Sequence, residues 1–323
     1  MRRSIIAIFT LAISISMQAQ PVPNVEENIP HLMTFGNQAE ISWGDDDFSQ
    51  AFFFLVPKDY SGQVFIRVFD PDTGGAIDEN RGNWNTQCTY EVYGGKGCHS
   101  EDDARETSPT GNYKSGTLLA MKVFGESPRY DENWYTFGPY NPEEGEYVDE
   151  FSGYIFKVIC EGTEGDDGNM YNYYLSTSGT ENKPIEGANA FAYEYSFRMH
   201  NDPNETSHIY PYILEGTLTV KISNFDWDDD GDILVVSKER QGQRVAVSGE
   251  ETWAKDEIKV LDGEVKSSYD FQFAKSRKPV VRNNNVVVNV RNQYDETMPF
   301  YTSPIGGVPK YKWAIEVTPL DED

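Results

Sequence analysis

Hydrophobic and polar residues alternate along much of this chain, which is the pattern of half-buried β-strands. The clearest run covers residues 191–198, where four aromatic side chains fall on one face and small or charged side chains on the other. The same period of two recurs at 64–68, 217–222, 286–290 and 311–317. No window of ten or more residues keeps the period of an amphipathic helix. The pattern therefore predicts an all-β protein.

Clusters of turn-forming residues separate these strands and suggest how they are arranged. Residues 71–75 contain Pro, Asp and Gly, and residues 201–204 contain Asn, Asp and Pro. These residue types favour turns. Many short strands joined by turns are typical of antiparallel sandwiches, whereas parallel sheets need crossover helices. About 300 residues would follow a signal peptide, which is more than one sandwich core usually holds. We predict two tandem antiparallel β-sandwich domains of jelly-roll or Ig-like type.

The segment 176–184 is the best boundary between the two predicted domains. It lacks large apolar residues and carries Gly and Pro, as linkers do. The N-terminal sandwich is accordingly predicted to cover residues 20–180 and the C-terminal sandwich residues 181–323.

Residues 1–19 have the organisation of a secretory signal peptide. Arg2 and Arg3 provide the charged start, residues 5–15 the apolar stretch, and Ala19 a small residue before a cut at Gln20. That apolar stretch is too short to span a bilayer, and nothing downstream approaches 18 uninterrupted apolar residues. We expect an exported protein without a transmembrane segment, in the periplasm or at the cell surface or outside the cell.

The chain is strongly acidic, with 53 acidic residues against 27 basic ones and a formal net charge of −26. Such a surface repels nucleic acid, so nucleic acid is excluded as an expected partner. An envelope protein or a polysaccharide is the expected kind of partner.

Three cysteines in an exported chain predict one disulfide and one remaining thiol. Cys88 and Cys98 flank a glycine-containing reversal, so a Cys88–Cys98 disulfide is predicted in the N-terminal sandwich. Cys160 ends an apolar strand and is interpreted as a small buried hydrophobic residue.

A run of carboxylates at 226–232 is the first candidate metal site. Asp226, Asp228 and Asp230 would supply side-chain oxygens to calcium, and Asp232 a backbone carbonyl. The spacing resembles the opening half of an EF-hand loop, but Ser237 stands where that loop needs a bidentate Glu. Residues 233–236 read as a strand, so the prediction is a calcium loop between strands. The alternative is a solvated acidic turn.

A second acidic loop begins where the predicted strand 64–69 ends. Its candidate ligands are Asp70, Asp72 and Asp78. Loops at strand ends often carry ligands because a stiff sheet fixes where each loop starts. Calcium is therefore the one cofactor hypothesis, and its expected role is to stabilise these loops.

Aromatic residues make up 14% of the chain and raise the possibility of sugar binding. Candidates for flat stacking platforms are Trp84, Trp134, Tyr171 and Tyr173. The alternative is that these rings fill cores and cross-strand pairs, as aromatic residues in sheets usually do.

No catalytic motif stands out in the sequence. It has no nucleophile elbow, no metalloprotease helix motif, no phosphate-binding loop and no dinucleotide glycine pattern. A carboxylate pair for glycoside hydrolysis stays an alternative, although no spacing singles out two of the acids. The expected function is a non-catalytic, calcium-stabilised structural or adhesion role at the bacterial cell envelope. The alternatives are a carbohydrate-binding protein and a glycoside hydrolase.

One internal similarity is visible in the sequence. Thr-Phe-Gly at 34–36 and again at 136–138 precedes an acidic cluster and then an apolar strand. A duplicated half-sandwich would explain it.

Overall fold

The computed structural model describes residues 21–275 and 281–310, and this part of the chain contains strands but no α-helix. The strands are β1 (Pro21–Val22), β2 (His31–Phe35), β3 (Ser49–Pro57), β4 (Val64–Phe69), β5 (Gln87–Gly94), β6 (Thr117–Phe124), β7 (Trp134–Tyr140), β8 (Glu146–Val148), β9 (Gly153–Glu164), β10 (Gly168–Ser176), β11 (Asn189–Ala192), β12 (Glu194–Arg198), β13 (Thr206–Ile209), β14 (Thr219–Phe225), β15 (Gly231–Val236), β16 (Gln241–Val245), β17 (Trp253–Lys259), β18 (Asp270–Lys275), β19 (Asn285–Asn292) and β20 (Phe300–Tyr301). Short 3₁₀ helices lie at Val25–Glu27, Ile41–Trp43, Asp102–Arg105, Pro142–Glu144 and Asp149–Phe151. The all-β prediction is confirmed.

The strands form three antiparallel sheets. The largest has the order β17-β14-β19-β12-β2-β10-β4-β7, with β1 also paired to β10. The second has the order β20-β11-β3-β9-β5-β6, with β8 also paired to β9, and the third is β13-β18-β15-β16. The predicted antiparallel sandwich architecture is confirmed.

Two sets of eight strands have the same connectivity within these sheets. The first set is β2 to β7 with β9 and β10, and the second set is β12 to β19. When the strands of each set are numbered one to eight, one layer has the order 1-8-3-6 and the other 2-7-4-5. This is the connectivity of a jelly roll rather than of an immunoglobulin sandwich.

The two sets join through their first strands. β2 pairs with β12, with Leu32 opposite Phe197, so one layer of each jelly roll belongs to the same sheet. β11 lies in the other sheet beside β3, so the chain changes sheet at Tyr193. The predicted strand 191–198 is therefore two strands, and the domain boundary at residue 180 stays a prediction.

Aromatic side chains fill the space between the layers. In the first jelly roll the Phe52 ring lies 5.8 Å from the Tyr173 ring, and in the second Phe197 lies 5.4 Å from Phe273. β3 is covered on both faces, because Phe53 on its other face stacks on Phe191 at 5.3 Å. A strand buried on both faces has a continuous apolar run, as residues 52–56 do.

The predicted Cys88–Cys98 disulfide is wrong. All three cysteines are free and buried. Cys88 lies near the start of β5 and Cys98 beyond its end, and six extended residues already span about 20 Å, far more than a disulfide bridges. Cys98 donates instead to the Ile155 carbonyl at 3.2 Å, whereas Cys88 and Cys160 belong to another hydrophobic cluster.

Several predicted segments agree closely with the observed strands, and others cannot be compared. The predicted strand 64–69 has the bounds of β4, and residues 233–236 lie in β15. The predicted strand 311–317 and the predicted signal peptide 1–19 lie outside the described residues. Within the residues that are described, no helix has the length and apolar character needed to cross a membrane.

Candidate functional site

The loop after β4 contains two buried carboxylates with oxygens that lack hydrogen-bond partners. Asp70 is 0% exposed and Asp72 is 1% exposed. One oxygen of Asp70 accepts from the Glu132 amide at 2.8 Å, and one oxygen of Asp72 accepts from the Ser127 amide at 2.9 Å. The second oxygen of each carboxylate, Oδ2 of Asp70 and Oδ1 of Asp72, is buried and has no partner.

A third carboxylate, Asp131, comes to the same place from the loop before β7. Its Oδ1 is also buried without a partner, and a Cβ on Gly75 would lie only 2.0 Å from that oxygen. We call Asp70, Asp72 and Asp131 the first acidic pocket. Burial, with smaller contributions from the neighbouring acids, raises the pKa of Asp70 to about 7 and the pKa of Asp72 to about 6. The pocket therefore concentrates uncompensated negative charge.

Asp78, the other predicted ligand of this loop, has a different role. Its Oδ2 accepts from the Gly74 amide and its Oδ1 from the Met170 amide, both at 2.7 Å. Both carboxylate oxygens are therefore used to hold the loop against β10.

The loop between β14 and β15 forms a second acidic pocket, which we define as Asp226, Asp228 and Glu250. Asp226 is 2% exposed and accepts from the Glu251 amide at 2.8 Å, and Oδ1 of Asp228 is buried without a partner. Burial raises the pKa of Asp226 to about 7 and that of Asp228 to about 6, and Glu250 adds repulsion to both. The two aspartates line a polar cavity of about 300 Å³.

The remaining two predicted ligands of this loop have basic partners. Asp230 forms a buried ion pair with Lys275 at 2.8 Å. Asp232 is exposed to solvent and pairs with Arg244. Asp230 and Asp232 are therefore compensated by basic partners, although Asp230 still lies near enough to Asp228 to repel it.

Across residues 21–275 and 281–310, no three or more His, Cys, Asp and Glu side chains have the arrangement of a metal cluster. Calcium sites, however, also use backbone carbonyls and water as ligands. What the acidic pockets offer is paired carboxylate oxygens, which suit a hard cation.

The aromatic candidates divide into buried and half-buried rings. Tyr171 and Tyr173 are 0% exposed, because β10 is a central strand, and they fill the core instead of offering a ring face to a sugar. Trp134 is half-buried, with the Arg67 guanidinium 4.9 Å from its ring centre and Phe69 at 5.3 Å. Trp84 is also half-buried, in the loop between β4 and β5.

A groove of about 600 Å³ lies over β14, β17 and β19 of the second jelly roll, with Thr107 of the first at its edge, and the sequence did not point to it. Its lining includes the Trp253 ring and the polar side chains of Ser223 and Asn289. Much of the remaining wall is formed by three basic and three acidic residues, which are Lys221, Lys255, Arg291, Asp256, Glu257 and Asp295. The groove is therefore polar, close to neutral, and has one aromatic ring.

A cluster of carboxylates lies beneath this groove, where β2, β3 and β12 meet. Burial and mutual repulsion hold the pKa values of Asp47 and Glu194 well above their usual range. Glu194 accepts from Asn289, which lines the groove, at 2.9 Å. The cavity beside Glu194 measures about 30 Å³, room for a few water molecules but not for a sugar ring.

Asp45, in the same cluster, should make the free energy of unfolding depend on pH. Burial raises its pKa to about 7, so the folded state keeps a proton that the unfolded state releases near pH 4. Its stabilising contribution is present below about pH 4 and is lost as the pH rises through 7. We expect the unfolding free energies of the wild type and Asp45→Asn to converge or cross over this window. The change in their difference should reach at most about 1.4 kcal/mol per pH unit. Urea titrations from pH 4 to 8 measure it, and parallel curves would contradict the prediction.

Neither a known family model nor a curated protein matches the sequence of this chain.

Proposed function

We propose that this protein is exported to the bacterial cell envelope and acts there without catalysis, as a structural or adhesive protein stabilised by calcium. The observation that supports it best is the first acidic pocket. Asp70 and Asp72 are almost fully buried, and each keeps an oxygen without a hydrogen-bond partner. An unpaired buried carboxylate is costly, and a bound divalent cation removes that cost.

The position of the pocket fits a stabilising role. Asp70 directly follows β4, and its backbone amide donates to the Asn133 carbonyl at 2.9 Å beside the start of β7. A cation held there would connect the ends of two paired strands. It would stabilise the jelly roll without taking part in a reaction.

We expect calcium to raise the unfolding temperature of the full chain. Extracellular calcium sites bind at about 0.1–1 mM, so 1 mM calcium adds up to about 1.4 kcal/mol per site at the tighter end of that range. The measurement is thermal unfolding in calcium and in EDTA, combined with calorimetric titration. Equal melting curves and no heat of binding would contradict the proposal.

A matched pair of variants separates the pocket from general charge effects. Asp70→Asn combined with Asp72→Asn should reduce the calcium response, because it removes the two unpartnered carboxylates. Asp59→Asn also removes an acid, but at an exposed position, and should keep the full response. An equal reduction in both would show that calcium acts only by screening the net charge.

The groove at Trp253 supports a second candidate function, binding of a polysaccharide. An aromatic ring beside Ser223 and Asn289 provides a stacking surface with hydrogen-bonding groups, and the balanced charges favour a neutral glycan. A carbohydrate-binding role would therefore use Trp253 instead of the buried Tyr171 and Tyr173.

For this candidate we expect Trp253→Ala to abolish binding on a glycan array while the chain stays folded. Trp84→Ala is the control, because Trp84 is half-buried and lies outside the lining of this groove. Unchanged glycan binding by Trp253→Ala, or no binding by the wild type, would remove this candidate.

A further inference from the structure

The two acidic pockets occupy the same position in the two jelly rolls. Each follows the third strand of its set, β4 or β14, and each lies beside the start of the sixth strand, β7 or β17. Phe69 pairs with Trp134 in the first set, and Phe225 pairs with Trp253 in the second. Both Phe–Trp ring pairs have a centroid distance of 5.3 Å.

The backbone around the pockets repeats in detail. Asp70 and Asp226 have left-handed φ angles of 53° and 56°, and Glu132 and Glu251 have 50° and 54°. In each pocket the aspartate Oδ1 accepts from the amide of that glutamate at 2.8 Å. The short motifs Phe-Asp-x-Asp and acid-Glu-x-Trp therefore recur at 69–72 and 131–134, and again at 225–228 and 250–253.

The charged groups repeat as well. Asp72 and Asp228 each lie two residues after the first aspartate, and each has a buried oxygen without a partner. Asp131 and Glu250 each occupy the position before the glutamate that both motifs share, and each repels both aspartates of its pocket. One difference is that the buried Asp230–Lys275 ion pair lies next to Asp228 in the second pocket.

We propose that the two pockets are equivalent divalent-cation sites produced by an internal duplication, one in each jelly roll, with Asp131 and Glu250 as their third carboxylates. This inference rests on the proposed calcium binding and extends it from one loop to a pair of sites with defined ligands. The buried, unpartnered oxygens of Asp70, Asp72 and Asp228 support the ligand assignment.

The test is the stoichiometry of calcium binding to the full chain, measured by calorimetry. We expect two calcium ions per wild-type chain and one in either paired variant, Asp70→Asn with Asp72→Asn or Asp226→Asn with Asp228→Asn. Asp131→Asn and Glu250→Gln should each weaken one of the two sites by about tenfold or more. Asp232→Asn is the control, since Asp232 pairs with Arg244 outside the pocket, and it should keep two sites.

The outcomes distinguish this inference from the proposed function. One calcium ion per chain, lost in the Asp70/Asp72 variant and kept in the Asp226/Asp228 variant, would overturn the duplication but leave calcium binding intact. No bound calcium in any form would overturn both. If a paired variant fails to fold, as judged by the loss of its circular-dichroism spectrum, the single variant Asp131→Asn or Glu250→Gln tests the same site. Each of these changes only one carboxylate.

Discussion

Replacing Lys275 with Met is expected to lower the free energy of unfolding by about 3–5 kcal/mol. The Lys275 ammonium lies 2.8 Å from Asp230, and the two side chains are 1% and 0% exposed. Methionine fills a similar volume but leaves the Asp230 carboxylate buried without a counter-charge, which is far more costly than the loss of an exposed pair. Urea unfolding at pH 7 measures the loss.

Lys266 provides the matched control. Its ion pair with Glu215 has a similar length, 2.6 Å, but the two side chains are 60% and 77% exposed. Exposed pairs contribute about 0–1 kcal/mol, so Lys266→Met should change stability little. Equal losses in the two variants would contradict the role of Lys275 as the counter-charge of a buried Asp230 carboxylate.

The same ion pair gives Asp230 a basic partner that the spacing of the acidic run 226–232 does not indicate. Asp230 also accepts from the Val281 amide at 3.0 Å, far along the chain. Lys275 comes from β18, the strand paired with β15. Carboxylate spacing in a sequence gives the distance along the loop, but it does not reveal a basic residue that the neighbouring strand supplies.

Alternation of apolar and polar residues was enough to locate many strands. β4 has the bounds predicted for it, because it is a continuous run between clear turn residues. β2 and β7 were not predicted. β7 pairs with β4, the strand that ends just before Asp70, and β2 pairs with β12 and so joins the two jelly rolls. β2 is buried along almost its whole length and β7 mixes buried and exposed residues irregularly, so neither strand has a period of two.

The third carboxylates could not be predicted from local sequence. Asp131 lies about 60 residues after Asp70, and the two meet only because the jelly-roll connectivity pairs β4 with β7. The similarity noticed between 34–36 and 136–138 relates the first strand of one set to the sixth strand of the same set, so it does not mark the structural repeat. The repeat is visible once Phe69 and Trp134 are compared with their counterparts in the second set.

Replacing Trp227 with Ala is expected to destabilise the chain by about 3–5 kcal/mol and to loosen the second acidic pocket. Trp227 lies between Asp226 and Asp228, is 0% exposed, and packs edge-on against Phe273 at 5.7 Å. Its backbone amide also donates to the Ser248 hydroxyl oxygen at 2.8 Å, so the ring and the backbone together fix the loop.

Trp227→Phe should recover most of that stability, because a phenyl ring keeps much of the contact with Phe273 and removes an indole N–H that has no partner. Tyr294→Ala, at a residue 72% exposed, should stay within about 0.5 kcal/mol of the wild type. Urea unfolding measures stability, and calcium titration should then show weaker binding at the second pocket alone. If Trp227→Ala weakened the first pocket equally, the two sites would be coupled through the shared sheet, since β4 and β14 belong to it together.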